Sequence, residues 1–229
     1  MRQSHKYGIS QEYLKLIACM TMLIDHIGAV FFPQAIWLRI IGRISFPIFC
    51  FLLAEGIHHT RSPLKYGLRL LLAALIAELP YDLLFHGQFI WAKNSVMVTL
   101  LLGFGAGVAT KASPGWYKVI LPLPFLLAGS FMGGSYGMYG VAVVVMFLLT
   151  RQIPYQPIVQ FLLMLLLSLR MAGFPERIGI QFYAVFAMIP IFLYNGEKRN
   201  RSKALQWSFT LFYPAHMSLF LLIRAIFLE

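Results

Sequence analysis

Charge is scarce in this chain, and negative charge is scarcest. Asp and Glu number 8 against 19 Lys and Arg, and charged residues are 12% of 229, where soluble domains carry about a quarter. Apolar residues make up 59%, in runs too long and too numerous for a soluble all-α protein. The runs do not alternate, which excludes an outer-membrane barrel. Cysteine is also scarce. Cys19 and Cys50 both sit inside apolar runs, so they give no disulfide framework and no metal-ligand spacing, and they read as core residues. No metal is expected. There is no phosphate-binding P-loop and no GxSxG nucleophile motif. No internal repeat or low-complexity tract is visible, which weakens a repeat-built transporter fold. The net charge of +11 does not point to nucleic acid, because the bases form short clusters between apolar runs rather than one solvated face. The first apolar run is no cleavable signal. It lacks a small-residue cleavage site, and Asp25-His26 interrupts it.

What is present is a series of apolar stretches near the length a span requires, about 20 residues. They predict an all-α, polytopic membrane protein of about nine spans, forming one domain over residues 1–229. The first runs from Tyr13 to Phe32. The second runs from Ile36 to Ile57 with a kink expected at Pro47, and the third from Leu64 to Phe85 with Pro80 inside it. The fourth covers Ser95 to Thr110, the fifth Trp116 to Phe131, the sixth Met138 to Thr150 and the seventh Ile158 to Met171. The eighth covers Ile178 to Tyr194, and the ninth runs from Leu205 to Leu228, broken at Pro214. Gly133 to Gly137 reads as a turn, and His58-His59 as an exposed loop. Gly103-x-x-x-Gly107 and Gly129-x-x-x-Gly133 suit close helix packing.

With the N-terminus inside, that side holds Arg2, Lys6, Lys15, Arg61, Lys65, Lys111, Lys118, Arg151, Lys198, Arg199, Arg201 and Lys203. The other side holds Lys93, Arg170, Arg177 and Arg224. The positive-inside rule therefore puts the N-terminus in the cytoplasm. A multi-pass protein of the cell inner membrane is the expectation.

Against this apolar background the stretch from Tyr13 to Asp82 stands out. It holds Asp25, His26, Arg39, Arg43, Glu55, Arg69, Glu78 and Asp82, although one ionisable group at mid-bilayer costs about 3 kcal/mol. Such a set is expected to converge in a polar cavity. Arg39 and Arg43 are four apart, as are Glu78 and Asp82, so each pair shares a helical face. Together with Asp25 and His26 they form an outer layer. Glu55, Arg61, Lys65, Tyr66 and Arg69 form a net basic inner layer. Histidine suits general-base work near neutral pH. The plainer alternative is a set of structural ion pairs, Arg43 to Glu78 for instance. Tyr136, Tyr139, Tyr213 and His216 either face the cavity, where they would touch substrate, or sit in an interfacial belt.

Several short stretches carry a resemblance. They are Ile24-Asp25-His26-Ile27-Gly28, Gly42-Arg43-Ile44-Ser45-Phe46-Pro47-Ile48-Phe49, Leu53-Ala54-Glu55-Gly56 and Glu78-Leu79-Pro80-Tyr81-Asp82. Weaker ones are Asn94 to Leu101, Tyr136 to Gly140 and Phe212 to His216. In order and over nearly the whole chain, these resemble the TraX family, named for the membrane protein that acetylates a pilin N-terminus in conjugative plasmids. One departure is Ser135, where the family pattern has an acidic residue.

The resemblance implies a membrane acetyltransferase that uses cytoplasmic acetyl-CoA as acyl donor. The acceptor would be an amine or hydroxyl on a peptide or glycan: a peptide N-terminus, an amino sugar or an envelope polymer. His26 would be base or acyl relay, Arg43 would stabilise the oxyanion, and Asp25, Glu55, Glu78 or Asp82 would orient the acceptor or the imidazole. Arg61, Lys65, Tyr66, Arg69 and Asn94 would hold the coenzyme, with Arg39 on the substrate side. The competing expectations are a proton-coupled transporter or lipid flippase, whose intramembrane acids and histidine form a proton relay, and a scaffold whose charges only lock helices together. The sequence leaves the oligomeric state open.

Overall fold

The computed structural model describes residues 8–90, 94–132, 136–173, 179–197 and 202–227. Of the features read from the sequence, Arg2, Lys6, Lys93, Ser135, Arg177, Lys198, Arg199, Arg201, the side chain of Lys203 and residues 133–135 of the expected turn lie outside this set.

The described chain is all-α. Its helices are α1 (Gln11–Val30), α2 (Ile36–Gly42), α3 (Ser45–His59), α4 (Pro63–His86), α5 (Val96–Ala112), α6 (Tyr117–Ile120), α7 (Leu123–Phe131), α8 (Gly137–Leu149), α9 (Gln156–Ala172), a 3-10 helix over Ile180–Ala187, α10 (Met188–Phe192) and α11 (Lys203–Phe227). Three described stretches are long and apolar enough to cross a membrane: Gln11–Val30, Ile36–His59 and Gln206–Phe227. Helix α4 has the length, 24 residues or about 36 Å, but carries Lys65, Arg69, Glu78 and Asp82. The other apolar stretches form shorter helices. The expected fifth span is interrupted between α6 and α7, and the eighth is half 3-10 helix.

Proline does not break this chain where the sequence suggested. The second run divides at Arg43-Ile44, not at Pro47. Pro47 stands in the first turn of α3, where backbone N–H groups have no intrahelical acceptor and proline removes nothing. Helix α11 continues through Pro214. In apolar surroundings a helix tolerates such a residue when neighbouring groups re-satisfy the backbone; the acceptor that Pro214 leaves without its helical N–H is the carbonyl of Thr210, four residues earlier. His58 and His59 form the end of α3 rather than a loop.

The chain resolves into two compact units. The first is Met1–Leu52 with Thr150–Phe209, and the second is Leu53–Leu149 with Thr210–Glu229. In the first unit α1 packs on α2, and α9 packs on the 3-10 helix. Leu14, Ala18, Phe46, Ile48, Met164 and Met188 form its buried interior. Ile9 pairs with Tyr194 as an isolated parallel bridge, through Ile9 N–H to Leu193 O at 2.9 Å and Asn195 N–H to Ile9 O at 3.1 Å.

In the second unit α5 packs on α8, α4 and α7, around Ala106, Val141 and Val145. Small residues allow the approach. A Cβ on Gly103 would meet Val144, and one on Gly107 would meet Ile57 and Leu148, which is the close packing expected of that pair. Gly129 meets the backbone of Gly137.

Helix α4 has an inverted cross-section. Leu64, Leu68, Leu71, Leu72, Leu75, Ile76 and Leu79 are exposed, whereas Ala73, Ala74, Ala77 and Asp82 are buried. The exposed set recurs every three or four residues, so it is one continuous apolar stripe. A stripe of that size is unfavourable in water and suits lipid.

Gly137 has φ +43°, and an added Cβ would lie 2.7 Å from Gly129 O. Gly137→Ala is expected to destabilise the detergent-solubilised protein by about 1–3 kcal/mol. A thermal unfolding midpoint equal to that of the unaltered protein would show that the α7–α8 approach is not needed.

Candidate active site

In the first unit the ionisable side chains meet around Asp25. This residue is 7% exposed and lies in the second half of α1. Arg39 Nη1 donates to Asp25 Oδ2 at 2.7 Å, and Arg43 Nη2 donates to Asp25 Oδ1 at 2.6 Å. Each carboxylate oxygen thus receives one guanidinium. Arg39 Nη1 also reaches the Asp25 carbonyl at 3.1 Å. The four-residue spacing of the arginines places both on the face of α2 that packs on α1.

Arg43 is held from three sides. Besides Asp25, its Nε donates to Arg39 O at 3.2 Å and its Nη1 to Gln181 Oε1 at 3.4 Å. The Arg43 side chain is 11% exposed and that of Arg39 is 29% exposed. Gly42 is required by this arrangement, since a Cβ there would fall on the Asp25 carboxylate. His26 follows Asp25 on α1 and is half-buried. Adjacent helical residues project about 100° apart, and Asp25 is committed to the arginines rather than to the imidazole. The ion pair seen for Arg43 is therefore with Asp25, not with Glu78 as the plainer sequence alternative had it.

In the second unit a different polar group assembles where α4 meets the start of α5. Ser95 is the N-cap of α5 and is fully buried. Its backbone N–H donates to both Glu78 oxygens, at 3.1 and 3.2 Å, and its hydroxyl donates to Glu78 Oε1 at 2.5 Å. The same Oγ accepts from Met97 N–H. The buried Tyr213 is hydrogen-bonded to the Ser95 side chain, with Glu78, Tyr81 and Tyr136 in electrostatic reach. One turn along α4, Asp82 is 1% exposed and accepts from Ile90 N–H at 2.9 Å. Asn94 donates to Met132 O at 2.9 Å. His216 is buried, its ring packed by Phe212, Tyr213 and Phe220. Tyr136 lies 6.1 Å from Tyr139, centroid to centroid.

The basic residues of the second unit are at the other end of α4. Arg61 and Lys65 are exposed around its N-terminus. Arg69 lies 4.9 Å over the Tyr66 ring, which also packs edge-on against Phe104. Glu55 is buried and pairs with His59 at 3.6 Å. Cys19 and Cys50 are both buried, and neither is in a disulfide. Among the described residues no cluster of three His, Cys, Asp or Glu side chains could hold a metal.

The constellation expected from the sequence is thus distributed. Asp25, His26, Arg39 and Arg43 belong to the first unit, and Glu55, Arg61, Lys65, Tyr66, Arg69, Glu78, Asp82, Asn94, Tyr136, Tyr139, Tyr213 and His216 to the second. Sequence reasoning missed Gln181, Ser95 and Tyr81. All are uncharged groups in or beside apolar runs, and only Ser95 carries a local signal, as a helix N-cap.

Asp25→Ala would leave two guanidiniums in apolar surroundings without their carboxylate. Breaking a buried pair from one side costs about 3–5 kcal/mol. The variant is expected to melt well below the unaltered protein in detergent, and Arg39→Gln to melt less far below it because Arg39 is the more exposed partner. Equal melting of all three proteins would show that the pair does not hold α1 to α2.

Comparison with known proteins agrees with the sequence motifs. A probable fimbrial assembly protein, FimC of serogroup H1 from Dichelobacter nodosus, is 29% identical over 242 aligned positions, covering 94% of this chain and 96% of the relative. Protein TraX of Escherichia coli is 25% identical over 134 positions, 57% of this chain and 52% of the relative. An uncharacterised protein of Rickettsia prowazekii is 32% identical over 93 positions, 41% of this chain and 34% of the relative. No solved structure matches the chain. The family described as TraX protein matches residues 10–224, which takes in both polar clusters, and the chain belongs to that family.

Proposed function

We propose that this protein is a multi-pass inner-membrane acetyltransferase of about nine spans, N-terminus inside, that moves an acetyl group from cytoplasmic acetyl-CoA to an amine or hydroxyl acceptor. Family membership over nearly the whole chain supports the reaction class, since the family name is that of a pilin-acetylating protein. The single structural observation that carries the reading is the buried Asp25 carboxylate gripping two guanidiniums one residue from a half-buried histidine. Positive charge fixed in advance, where water is excluded, is what an oxyanion formed during acyl transfer requires.

In this reading His26 is the base or the acyl relay. As base, it takes a proton from the acceptor while the acceptor lone pair attacks the thioester carbon. The new C–N or C–O bond forms, the C–S bond breaks, and the sulfur leaves with the bonding electrons. Arg43 stabilises the oxyanion between these events, and Asp25 positions Arg43 rather than carrying a proton. The coenzyme phosphates would be held around the N-terminus of α4. There, helix N–H groups and the charges of Arg61, Lys65 and Arg69 favour anions.

The test is His26→Ala in isolated membranes supplied with labelled acetyl-CoA and a peptide or amino-sugar acceptor. Transfer is expected to fall to background while the variant inserts and melts like the unaltered protein. Undiminished transfer removes His26 from the chemistry, and acceptor movement without acetylation would favour the transporter reading.

A further inference from the structure

A neutral side chain touches the ion-pair cluster of the first unit. Gln181 is 7% exposed and stands in the first turn of the 3-10 helix over Ile180–Ala187, which packs on α2. Its Oε1 accepts from Arg43 Nη1 at 3.4 Å. The other side chains of this 3-10 helix are apolar or aromatic. Burying an amide costs free energy wherever its hydrogen bonds are imperfect, so packing alone favours an apolar residue at this position.

The backbone under Gln181 is tied down. Gly179 N–H donates to Ala172 O, at the end of α9, at 3.0 Å, and Phe182 N–H donates to Gly179 O at 3.1 Å. A Cβ on Gly179 would itself lie 3.0 Å from Ala172 O, so the close approach of the two segments suits glycine. The start of the 3-10 helix is thereby joined to α9, and Gln181 reaches Arg43 from a supported base. A side chain that orients a reacting group needs such support.

What Gln181 adds follows from the shape of a guanidinium, which is planar with fixed N–H directions. Asp25 takes Nη2 at 2.6 Å, and the Arg39 carbonyl takes Nε at 3.2 Å. A plane held at two points still rocks about the line that joins them. Nη1 lies off that line, and an acceptor there opposes the rocking. The acceptor is also uncharged. Asp25 holds Arg43 by a charge-assisted bond, whereas an amide oxygen fixes the group without adding negative charge beside it. Oxyanion stabilisation depends on positive charge fixed before the negative charge develops. A carboxylate in place of the amide would hold Arg43 as firmly and weaken its attraction for the oxyanion.

We propose that Gln181 is a positioning residue for acyl transfer, its neutral amide oxygen fixing the plane of the Arg43 guanidinium without taking up its charge; this rests on the acetyltransferase reading above, in which Arg43 stabilises the oxyanion. Gln181 acts only through Arg43 and touches neither acyl donor nor acceptor.

The test compares variants of the full-length protein in isolated membranes, with labelled acetyl-CoA and a peptide or amino-sugar acceptor. Gln181→Met keeps the side-chain length and removes the acceptor. It is expected to lower kcat by about tenfold to a hundredfold and to leave the KM for acetyl-CoA unchanged. Gln181→Glu keeps the oxygen and adds the charge. A role confined to holding the fold predicts full kcat for this variant, because the contact with Arg43 is retained and strengthened. The neutral hold predicts a fall of about tenfold or more, with a thermal midpoint no lower than that of the unaltered protein. Gln160 is the control, a second buried glutamine of the first unit, whose Nε2 donates to Thr150 Oγ1 at 3.0 Å. Gln160→Met is expected to melt lower and to keep its kcat. Full kcat in Gln181→Glu overturns the neutral hold, and it decides the matter even where Gln181→Met fails to insert. Full kcat in Gln181→Met overturns the positioning role. A loss in Gln160→Met equal to that in Gln181→Met also overturns it, since general loosening then explains both. Absence of transfer by the unaltered protein is a separate outcome: it sinks the acetyltransferase reading, and the role of Gln181 falls with it.

Discussion

The first unit is arranged around one buried carboxylate. An isolated charge in apolar surroundings is so unfavourable that it either finds partners or is neutralised. Asp25 finds two, and the consequences spread along the chain. The arginines have to come from one helical face, which sets their four-residue spacing. Helix α2 has to approach α1 so closely that position 42 tolerates no side chain. The chain then turns at Arg43-Ile44 and restarts as α3, so that the Arg43 side chain points back to Asp25 while its own backbone closes the last turn of α2. Gln181, far along the sequence, supplies the third hold on Arg43. A well-packed apolar replacement of such a pair is often as stable or more so. Stability alone therefore does not require the charges, whereas the oxyanion role proposed for Arg43 does.

Helix α4 carries the same lesson in another form. Its bases, Lys65 and Arg69, lie early and its acids, Glu78 and Asp82, lie late. The helix dipole favours the opposite order, acids at the N-terminus and bases at the C-terminus. Nor does the exposed stripe of leucines gain from the charges, of which Lys65 is exposed, Arg69 and Glu78 are half-buried and Asp82 is buried. The dipole does not set this order: the orientation proposed for the chain would put the bases on the cytoplasmic side, and at the other end the acids are held by hydrogen bonds, Glu78 from Ser95 and Asp82 from Ile90.

Much of this was readable in advance, for reasons that differ from residue to residue. The apolar runs mark the helices because composition and length suffice for that. Asp25, Arg39 and Arg43 stand out because charge is conspicuous against an apolar background. Which groups Arg43 pairs with is not readable: Asp25 and Gln181 are chosen by tertiary packing, and a glutamine in an apolar segment carries no sign of what it will meet. The proline readings fail for a related reason. What a proline does depends on whether its position needed an N–H, and this is set by where the helix starts. Pro47 falls in a first turn and Pro214 inside a helix that absorbs it, and neither fact is local. Ser95 is the instructive middle case. Its N-cap role is a sequence signal, yet that its hydroxyl also occupies Glu78 is a fact of two helices meeting.

That last fact changes how the carboxylates are weighed. By sequence alone Glu78 and Asp82 are equivalent, two acids one turn apart in one apolar run. Once Ser95 is in place they differ in kind, because a carboxylate that accepts three hydrogen bonds from a helix start is anchored by that helix. Release of Glu78 would leave the buried Ser95 N–H and hydroxyl to find other acceptors, each loss costing about 1–3 kcal/mol. Asp82 has one oxygen committed and one not. Hydrogen-bond accounting along α4 therefore separates the two acids: Glu78 fixes the junction of α4 with α5, and Asp82 holds the Ile90 N–H in the turn that follows the helix.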